Sequence, residues 1–518
     1  MKKAVALIIS LIIVFSVFAA GCGTKQTANK SLKIFYYAQG ADPRGLDPAW
    51  VDDGESAKVT VQIYDTLVNY KKDSTEIVPG LAEKWEISPD GKEYTFHLKK
   101  GVKFHDGTDF NADAVVYNVE RQLPPKVKDD MPYASFTFGA VDKVEKIDDY
   151  TVKFILKQPY TPFLANLAMS LAAPIASPTA LKAHNDNLNE SPVGTGPYKF
   201  VKWDKGQSIT LERNPNYWGT KPDADKIIFK FEKENSVRAN DLIAGQIDMM
   251  DGLDPNDIPK LKEKELTIFQ DKGMNINYLA FNCSRAPFND PKLREAVSYA
   301  INRDELVKYL YQGYAEVANS PLPSFIPGYD DTVKPYEYNP DKAKQMLKDL
   351  GKENLQVKII TYSNPRPYNA VGGQKLAEAV QNYLSKVGIK ATIQTYQWTE
   401  YKQKSMQGEG DILFYGWTGD NGDADNFLSL FDSNEIKSSL NVAKYTNKQV
   451  DELLVKGRLT PNGTERDNIY KQIQQIVAKD APWILISHGT NLAASSPKIK
   501  EFYVHRTGSV FLKDVTKE

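Results

Sequence analysis

One loop of this sequence, Ser363-Asn-Pro-Arg366-Pro-Tyr368, places an arginine where a ligand could reach it. The loop follows a predicted strand, and open α/β sheets bind ligands in the loops after their strands. The prolines beside Arg366 favour a stiff, extended backbone, and a guanidinium can hold a carboxylate through two parallel hydrogen bonds. Arg366 is therefore a candidate carboxylate-binding residue, with Tyr368 in the same site. The alternative is an arginine in a surface or interdomain salt bridge.

A second loop, Gly416-Trp417-Thr418-Gly419-Asp420, also ends a predicted strand. Asp420 could receive an ammonium group, Trp417 could form an apolar wall, and Gly419 would let the backbone approach a ligand closely. The alternative for Asp420 is a carboxylate that caps a turn. Together the two loops put a cation and an anion at the ends of neighbouring strands. This pattern suits a zwitterion, such as a peptide with a free amine and a free carboxylate.

The remaining motifs give no comparable signal for catalysis or for a metal site. The five histidines do not form the H-E-x-x-H pattern, and there is no G-x-S-x-G elbow, Walker loop or dinucleotide-binding glycine fingerprint. The acidic run 420–425 resembles a calcium loop but lacks its closing Glu. We predict no metal site, no cofactor and no enzymatic activity. A secreted hydrolase stays a remote alternative, because a catalytic triad is defined in space.

The first 22 residues have the pattern of an export signal. A basic start precedes an apolar run that ends at Phe18, and small residues lead to Cys22. The segment resembles a bacterial lipoprotein signal, which implies a signal peptide over residues 1–21, lipidation of Cys22 and a polar tether over residues 22–31. The alternative is an uncleaved N-terminal anchor. Both place the body on the extracytoplasmic side of the cell membrane.

Composition narrows the class of protein further. The chain has 518 residues, which is too many for one hydrophobic core and predicts two or three domains. The net charge of −1 gives no reason to expect a nucleic-acid partner. Besides Cys22 the only cysteine is Cys283, so no internal disulfide is expected, and we predict that Cys283 is buried. A monomer is the default expectation.

Strand-like and helix-like segments alternate along the body, which predicts an α/β fold with largely parallel sheets. The alternation is most regular between a predicted strand at 355–362 and another at 411–417. Residues 80–160 resemble an α+β subdomain of their own. Apolar spacing also predicts one continuous helix over residues 291–311.

From residue 32 onward, the chain resembles the extracellular solute-binding proteins of ABC importers, in the family that binds oligopeptides, dipeptides and nickel. The stretches that carry the resemblance are Gly80-Leu-Ala-Glu-Lys-Trp-Glu-Ile-Ser-Pro-Asp-Gly-Lys-Glu-Tyr-Thr-Phe-His-Leu, Gly101-Val-Lys-Phe-His-Asp-Gly, Gly194-Thr-Gly-Pro-Tyr, Arg213-Asn-Pro-Asn-Tyr-Trp, Leu279-Ala-Phe-Asn and Arg294-Glu-Ala-Val-Ser-Tyr-Ala-Ile. The resemblance implies a two-lobed fold of the periplasmic-binding-protein type II (Venus flytrap) kind. Lobe I would comprise residues 32–272 and 488–518, with an extra α+β subdomain over about 55–190. Lobe II would comprise residues 273–487, so that the chain crosses between lobes near 273 and 487.

Within that family, Arg366-Pro-Tyr-Asn and Gly416-Trp-Thr-Gly-Asp-Asn-Gly-Asp look most like the dipeptide-binding branch. The resemblance implies that Arg366 binds the peptide carboxylate and Asp420 the amine, and that the partners are a short peptide and the permease subunits of an ABC importer. Two departures from the branch, at Ala370 and Ala424, lie beside the site. The open alternatives for the ligand are a longer peptide, glutathione, a nickel chelate or haem. A receptor or signalling lipoprotein with the same fold is a further alternative.

Overall fold

The computed structural model describes residues 32–518. The predicted signal peptide, the predicted lipidation site Cys22 and the predicted tether lie outside the described residues. None of the helices in the described range is both long enough and apolar enough to cross a membrane.

Strands occur along the whole described chain. They are β1 (Ile34–Gln39), β2 (Val68–Tyr70), β3 (Ile77–Pro79), β4 (Ala82–Ile87), β5 (Glu93–Leu98), β6 (Val141–Asp148), β7 (Thr151–Leu156), β8 (Tyr198–Asp204), β9 (Ser208–Arg213), β10 (Lys226–Phe231), β11 (Met249–Asp251), β12 (Thr267–Lys272), β13 (Asn275–Phe281), β14 (Ala315–Val317), β15 (Gln356–Tyr362), β16 (Lys390–Tyr396), β17 (Ile412–Thr418), β18 (Trp483–Ser495), β19 (Ile499–Lys500) and β20 (Thr516–Lys517).

Helices alternate with these strands. They are α1 (Gly54–Ile63), α2 (Ala112–Glu120), α3 (Ala134–Phe138), α4 (Phe163–Asn166), α5 (Pro178–Ala183), α6 (Asn235–Ile243), α7 (Ile258–Glu263), α8 (Pro291–Tyr299), α9 (Arg303–Tyr311), α10 (Pro340–Asp349), α11 (Gly373–Lys386), α12 (Trp398–Met406), α13 (Asp425–Leu428), α14 (Lys448–Leu459) and α15 (Thr464–Asp480).

The largest sheet is mixed, so the prediction of largely parallel sheets is wrong. Strands β15 and β16, which are joined through helix α11, are parallel. Strand β1 is also parallel to β10, although the extra α+β unit lies between them in sequence. Strands joined by short turns are antiparallel, as in β8–β9. The long strand β18 also pairs antiparallel with β11, β12, β13 and β14. Because those partners come from distant parts of the chain, local alternation could not reveal their direction.

The hydrophobic clusters separate a middle part of the chain from its two ends. One large cluster draws only on residues between Met274 and Ile486. Two others combine residues from the first half of the chain with residues near its C-terminal end. Strand β18 joins the regions, because it pairs with β13 up to Ser487 and with β12 from Thr490 onward. This is the architecture of a two-lobed α/β protein. The exact lobe boundaries and the crossings near 273 and 487 stay predictions.

An additional α+β unit has its own sheet, in the order β4-β5-β7-β6. Along β5 and β7 every second residue is buried, as expected of strands with one face on a core. Helix α2 packs on this sheet, and a separate hydrophobic cluster extends from Leu67 to Ile175. The predicted extra α+β subdomain is therefore confirmed, whereas its limits at about 55–190 stay a prediction.

The predicted continuous helix at 291–311 is wrong, because the chain forms α8 and α9 with a break between them. Asn302 lies in the break, and its side-chain oxygen accepts a hydrogen bond from the backbone N–H of Glu305. This capping bond satisfies a free donor at the start of α9 and favours a new helix over continuation.

Candidate functional site

The five residues predicted to bind a ligand all line one cavity of about 1430 Å³. They are Arg366, Tyr368, Trp417, Gly419 and Asp420. The cavity is also lined by residues from the first third of the chain, including Lys58 and Tyr133. The two predicted loops lie at the same edge of the sheet, because β15 is parallel to β17. The structure therefore brings the candidate cation and the candidate anion into one cavity.

Asn426 fixes the loop that follows β17. Its side-chain oxygen accepts hydrogen bonds from the backbone N–H of Asp420 at 3.0 Å and from Nε1 of Trp417 at 2.9 Å. Its amide nitrogen also lies 3.4 Å from Oδ2 of Asp420. One buried amide thus orients both the aromatic wall and the acid, and no feature of the sequence pattern pointed to it.

The three acids of this loop have different partners. Asp423 forms two hydrogen bonds with Arg466, at 2.7 and 2.8 Å, and Asp425 is bound by Arg458 at 2.9 Å. Asp420, by contrast, forms no ion pair with any residue of the described chain. Two acids of the run that resembles a calcium loop are therefore paired with arginines. Among residues 32–518, no group of three or more His, Cys, Asp or Glu side chains is arranged to hold a metal ion.

Asp420 is a half-buried carboxylate with neutral partners only. Its Oδ1 accepts a hydrogen bond of 2.7 Å from the hydroxyl of Tyr133, and its side chain caps no backbone turn. Desolvation raises the pKa of Asp420 to about 6, while the hydrogen bonds from Tyr133 and Asn426 act in the opposite direction. The site therefore holds a carboxylate that a cationic ligand group would stabilise.

Arg366 occupies a turn, not the extended segment that its prolines predicted. The backbones of Arg366 and Asn369 exchange two hydrogen bonds, at 3.1 and 2.8 Å. Asn369 is fully buried, and its side chain bonds to the hydroxyls of Tyr362 and Tyr311 at 2.9 and 2.7 Å. A pair of tyrosines in the core thereby anchors the turn that presents the guanidinium.

The Arg366 guanidinium lies over the ring of Trp398, 4.0 Å from its centroid. It forms no salt bridge within the part of the chain that the structure describes, and its buried Nε has no hydrogen-bond partner there. Trp398 begins α12, directly after β16, at the same sheet edge as the two predicted loops. The rule that located those loops would have found Trp398 had it been applied to β16.

Two predicted residues shape the cavity in ways that differ from expectation. The backbone N–H of Gly419 donates to the carbonyl of Met274 at 2.7 Å, and a Cβ on Gly419 would lie 2.7 Å from the ring of Phe427. Tyr368 is almost fully buried and packs on Gly416, where a Cβ would lie 2.2 Å from its ring. The glycines are therefore required by packing within the protein.

These features define the class: a two-lobed binding protein with a large cavity whose wall includes Arg366 and Asp420, neither of which forms an ion pair among residues 32–518. Residues 76–439 match the family described as "Bacterial extracellular solute-binding proteins, family 5 Middle". The chain belongs to this family of extracellular solute-binding proteins.

Three relatives illustrate the range within the family. The dipeptide-binding protein of Escherichia coli (strain K12) is 35% identical, over 95% of this chain and 96% of its own. Heme-binding protein A of Haemophilus influenzae is 36% identical, over 93% and 94% of the two chains. Among solved structures, the DppA protein from Helicobacter pylori in complex with the peptide STSA superposes with a TM-score of 0.80, at 35% identity, over 94% of this chain and 98% of its own. The family and these relatives are binding proteins and not enzymes.

Proposed function

We propose that this protein is the substrate-binding component of a peptide ABC importer and binds dipeptides by their two charged ends. Asp420 would receive the free amine and Arg366 the free carboxylate. The observation that carries the proposal is that Arg366 and Asp420, which have opposite charges and form no ion pair among residues 32–518, lie in the wall of one cavity. The similarity to the dipeptide-binding protein of E. coli supports the same ligand class.

The energetics favour a ligand that compensates both charges. A desolvated charge without a partner is unfavourable, and an oppositely charged ligand group removes that penalty. Each charge-assisted hydrogen bond contributes about 1.5–3 kcal/mol. A ligand with only one of the two charged ends would leave either Asp420 or Arg366 uncompensated. The site should therefore discriminate strongly against capped peptides.

The volume of the cavity favours tolerance of side chains. At about 1430 Å³ it exceeds the range of roughly 300–1,000 Å³ typical of small-molecule pockets. Water can fill the space around small side chains and bridge polar groups with little loss of affinity. Peptide length, set by the two fixed ends, would then matter more than sequence.

Transport requires closure and delivery. An open form would bind the peptide, and the lobes would close around it before docking on permease subunits in the membrane. Shifting an open-to-closed ratio from 1:99 to 99:1 requires about 5.5 kcal/mol of differential affinity. Two charged ends held by Asp420 and Arg366 can provide a difference of that size. The protein would act as a monomer and release the peptide without hydrolysing it.

The membrane anchor belongs to the same proposal. A lipid on Cys22 would hold the protein at the extracytoplasmic face of the cell membrane, with residues 22–31 as a tether. In cells, Cys22→Ser should move the protein from the membrane fraction to the soluble fraction. Membrane retention of that variant would contradict the lipid anchor and favour an uncleaved N-terminal segment.

Haem and nickel chelates fit the site less well. None of the described residues that line the cavity is a histidine or a cysteine. These side chains are the common protein ligands for nickel and haem iron. The described lining therefore offers neither metal a histidine or cysteine ligand.

The direct test is calorimetry with the mature chain and four ligands: a dipeptide, its N-acetylated form, a tetrapeptide and haem. We expect the dipeptide to bind most tightly and N-acetylation to weaken binding at least tenfold. Equal affinity for the free and acetylated dipeptides would show that Asp420 does not bind the amine. Chromatography of the titrated samples should recover the dipeptide intact, and cleavage would instead support a hydrolase.

A further inference from the structure

Three consecutive residues of lobe II, Asp420 to Gly422, each contact a different segment of the first half of the chain. We call residues 420–422 the closing loop. Asp420 accepts a hydrogen bond from Tyr133, and Asn421 donates one to Asn166. A Cβ on Gly422 would lie 2.2 Å from the Cβ of Thr75, so the backbone of Gly422 lies directly against the side chain of Thr75.

The segments that contact the closing loop are tied to one another. Tyr133 directly precedes α3, and its ring packs edge-on against Phe136, with centroids 6.1 Å apart. Asn166, the last residue of α4, is fully buried and donates to the carbonyl of Phe136 at 3.0 Å. Tyr133 and Asn166 therefore approach the closing loop as one rigid unit attached to the extra subdomain.

The closing loop is itself held firmly from its own side. The side-chain oxygen of Asn421 accepts a hydrogen bond of 3.0 Å from the backbone of Asp423, whose carboxylate is bound by Arg466. Asn426 fixes the backbone of Asp420. Neither side of the contact can adapt freely, so we expect the hydrogen bond from Tyr133 to Asp420 to break when the two lobes move apart.

From this geometry we infer that Tyr133 is a positioning residue for the ligand amine. Its hydroxyl holds Oδ1 of Asp420, so that Oδ2, which has only the 3.4 Å contact with Asn426, faces the ammonium group. The ligand amine is then bound fully only in the closed state. The extra subdomain therefore contributes to recognition of the amine, although it contains neither Asp420 nor Arg366. The inference rests on the proposed function of Asp420.

The surroundings of Asp420 make the role of Tyr133 measurable through pH. The ionisable side chains that face Asp420 from other elements are two tyrosines, Tyr133 before α3 and Tyr70 on β2, and neither carries a charge at neutral pH. Within its own loop, Asp423 and Asp425 are paired with arginines. Because the hydroxyl of Tyr133 lowers the pKa of Asp420, removing it should raise that pKa further above 6. A protonated Asp420 cannot pair with an ammonium group.

The experiment compares the full mature chain with Tyr133→Phe and a matched control, Tyr150→Phe. Tyr150 lies in the same subdomain and contributes no hydroxyl contact to the closing loop. Each protein is titrated calorimetrically with a dipeptide at pH 8 and pH 6, and with the N-acetylated dipeptide by competition. Circular dichroism and thermal melting verify that each variant is folded.

For Tyr133→Phe we expect about a tenfold loss of dipeptide affinity at pH 8 and a larger loss at pH 6. Its affinity for the N-acetylated dipeptide should equal that of the unmodified chain, and Tyr150→Phe should match the unmodified chain throughout. Equal losses for free and acetylated dipeptides, or an unchanged pH profile, would overturn the role of Tyr133 and leave the proposed function standing. If the unmodified chain itself shows no preference for a free amine, the proposed function fails and this inference fails with it.

Discussion

The two ends of the cavity are constructed differently. At the carboxylate end, every group that holds Arg366 comes from lobe II: the turn to Asn369, the buried tyrosines and the ring of Trp398. At the amine end, Asp420 is held partly by its own loop and partly by Tyr133 from the first half of the chain. If the protein functions as proposed, the carboxylate end would be complete before closure, whereas the amine end would be completed by closure. We expect a peptide to bind first by its carboxylate.

Among the substitutions considered, replacement of Arg366 should cause the largest loss of dipeptide affinity. Arg366→Ala removes a possible two-bond interaction with the carboxylate, and we expect a loss of about 3 kcal/mol, or roughly a hundredfold in Kd. Arg366→Lys keeps the charge but loses the planar fork and its stacking on Trp398, so its loss should be smaller. Calorimetry measures both. As a control, Arg285→Ala removes an arginine whose partner is Asp411, outside the cavity lining, and should leave affinity unchanged. Normal dipeptide binding by Arg366→Ala would remove Arg366 from the site.

The corresponding change at the amine end is Asp420→Asn. The amide keeps the shape of the side chain and can still accept a hydrogen bond from Tyr133, but it lacks the charge. We expect a loss of about 2 kcal/mol, or roughly thirtyfold in dipeptide affinity, with little change for the N-acetylated dipeptide. A loss of the same size for the free and the N-acetylated dipeptide would mean that Asp420 maintains the structure of the cavity and does not bind the amine.

The sequence predicted Arg366 and Asp420 as site residues, and the structure places both in one cavity, but the sequence did not predict the contacts that hold them. Arg366 and Asp420 were predictable because each follows a strand in a local motif. Tyr133 was not, since its only relation to Asp420 is a contact across 287 residues of chain. The α/β class followed from the alternation of elements, whereas the antiparallel pairing of β18 and the helix break at Asn302 did not. Pairing partners and capping bonds of this kind depend on tertiary contacts, which local patterns do not specify.

The ligand-free protein should become more stable when the charge at the amine end is removed. Burial raises the pKa of Asp420 from its ordinary value to about 6 in the folded state. The folded state then binds more protons than the unfolded state between about pH 4 and 6, so stability decreases as pH rises through that window and stays lower above it. At pH 7.5, Asp420→Asn should therefore raise the free energy of unfolding by about 1–2 kcal/mol. Denaturant unfolding without ligand measures this, with Asp113→Asn, at a surface ion pair, as the control. No gain, or a loss, would contradict the uncompensated state of Asp420.

The smallest predicted effect concerns the aromatic support at the carboxylate end. Trp398 holds the guanidinium of Arg366 by a cation–π contact, which contributes about 0.5–2 kcal/mol depending on desolvation. Trp398→Leu should weaken dipeptide binding by about 1 kcal/mol, or roughly fivefold, because Arg366 keeps its charge but loses its fixed orientation. Trp398→Phe retains a ring face and should lose less. The aromatic and cation–π partners of Trp398 within residues 32–518 all belong to the predicted lobe II. Both losses should therefore be the same at pH 6 and pH 8, in contrast to the loss predicted for Tyr133→Phe. A pH-dependent loss at Trp398 would mean that the two ends of the cavity are coupled before closure.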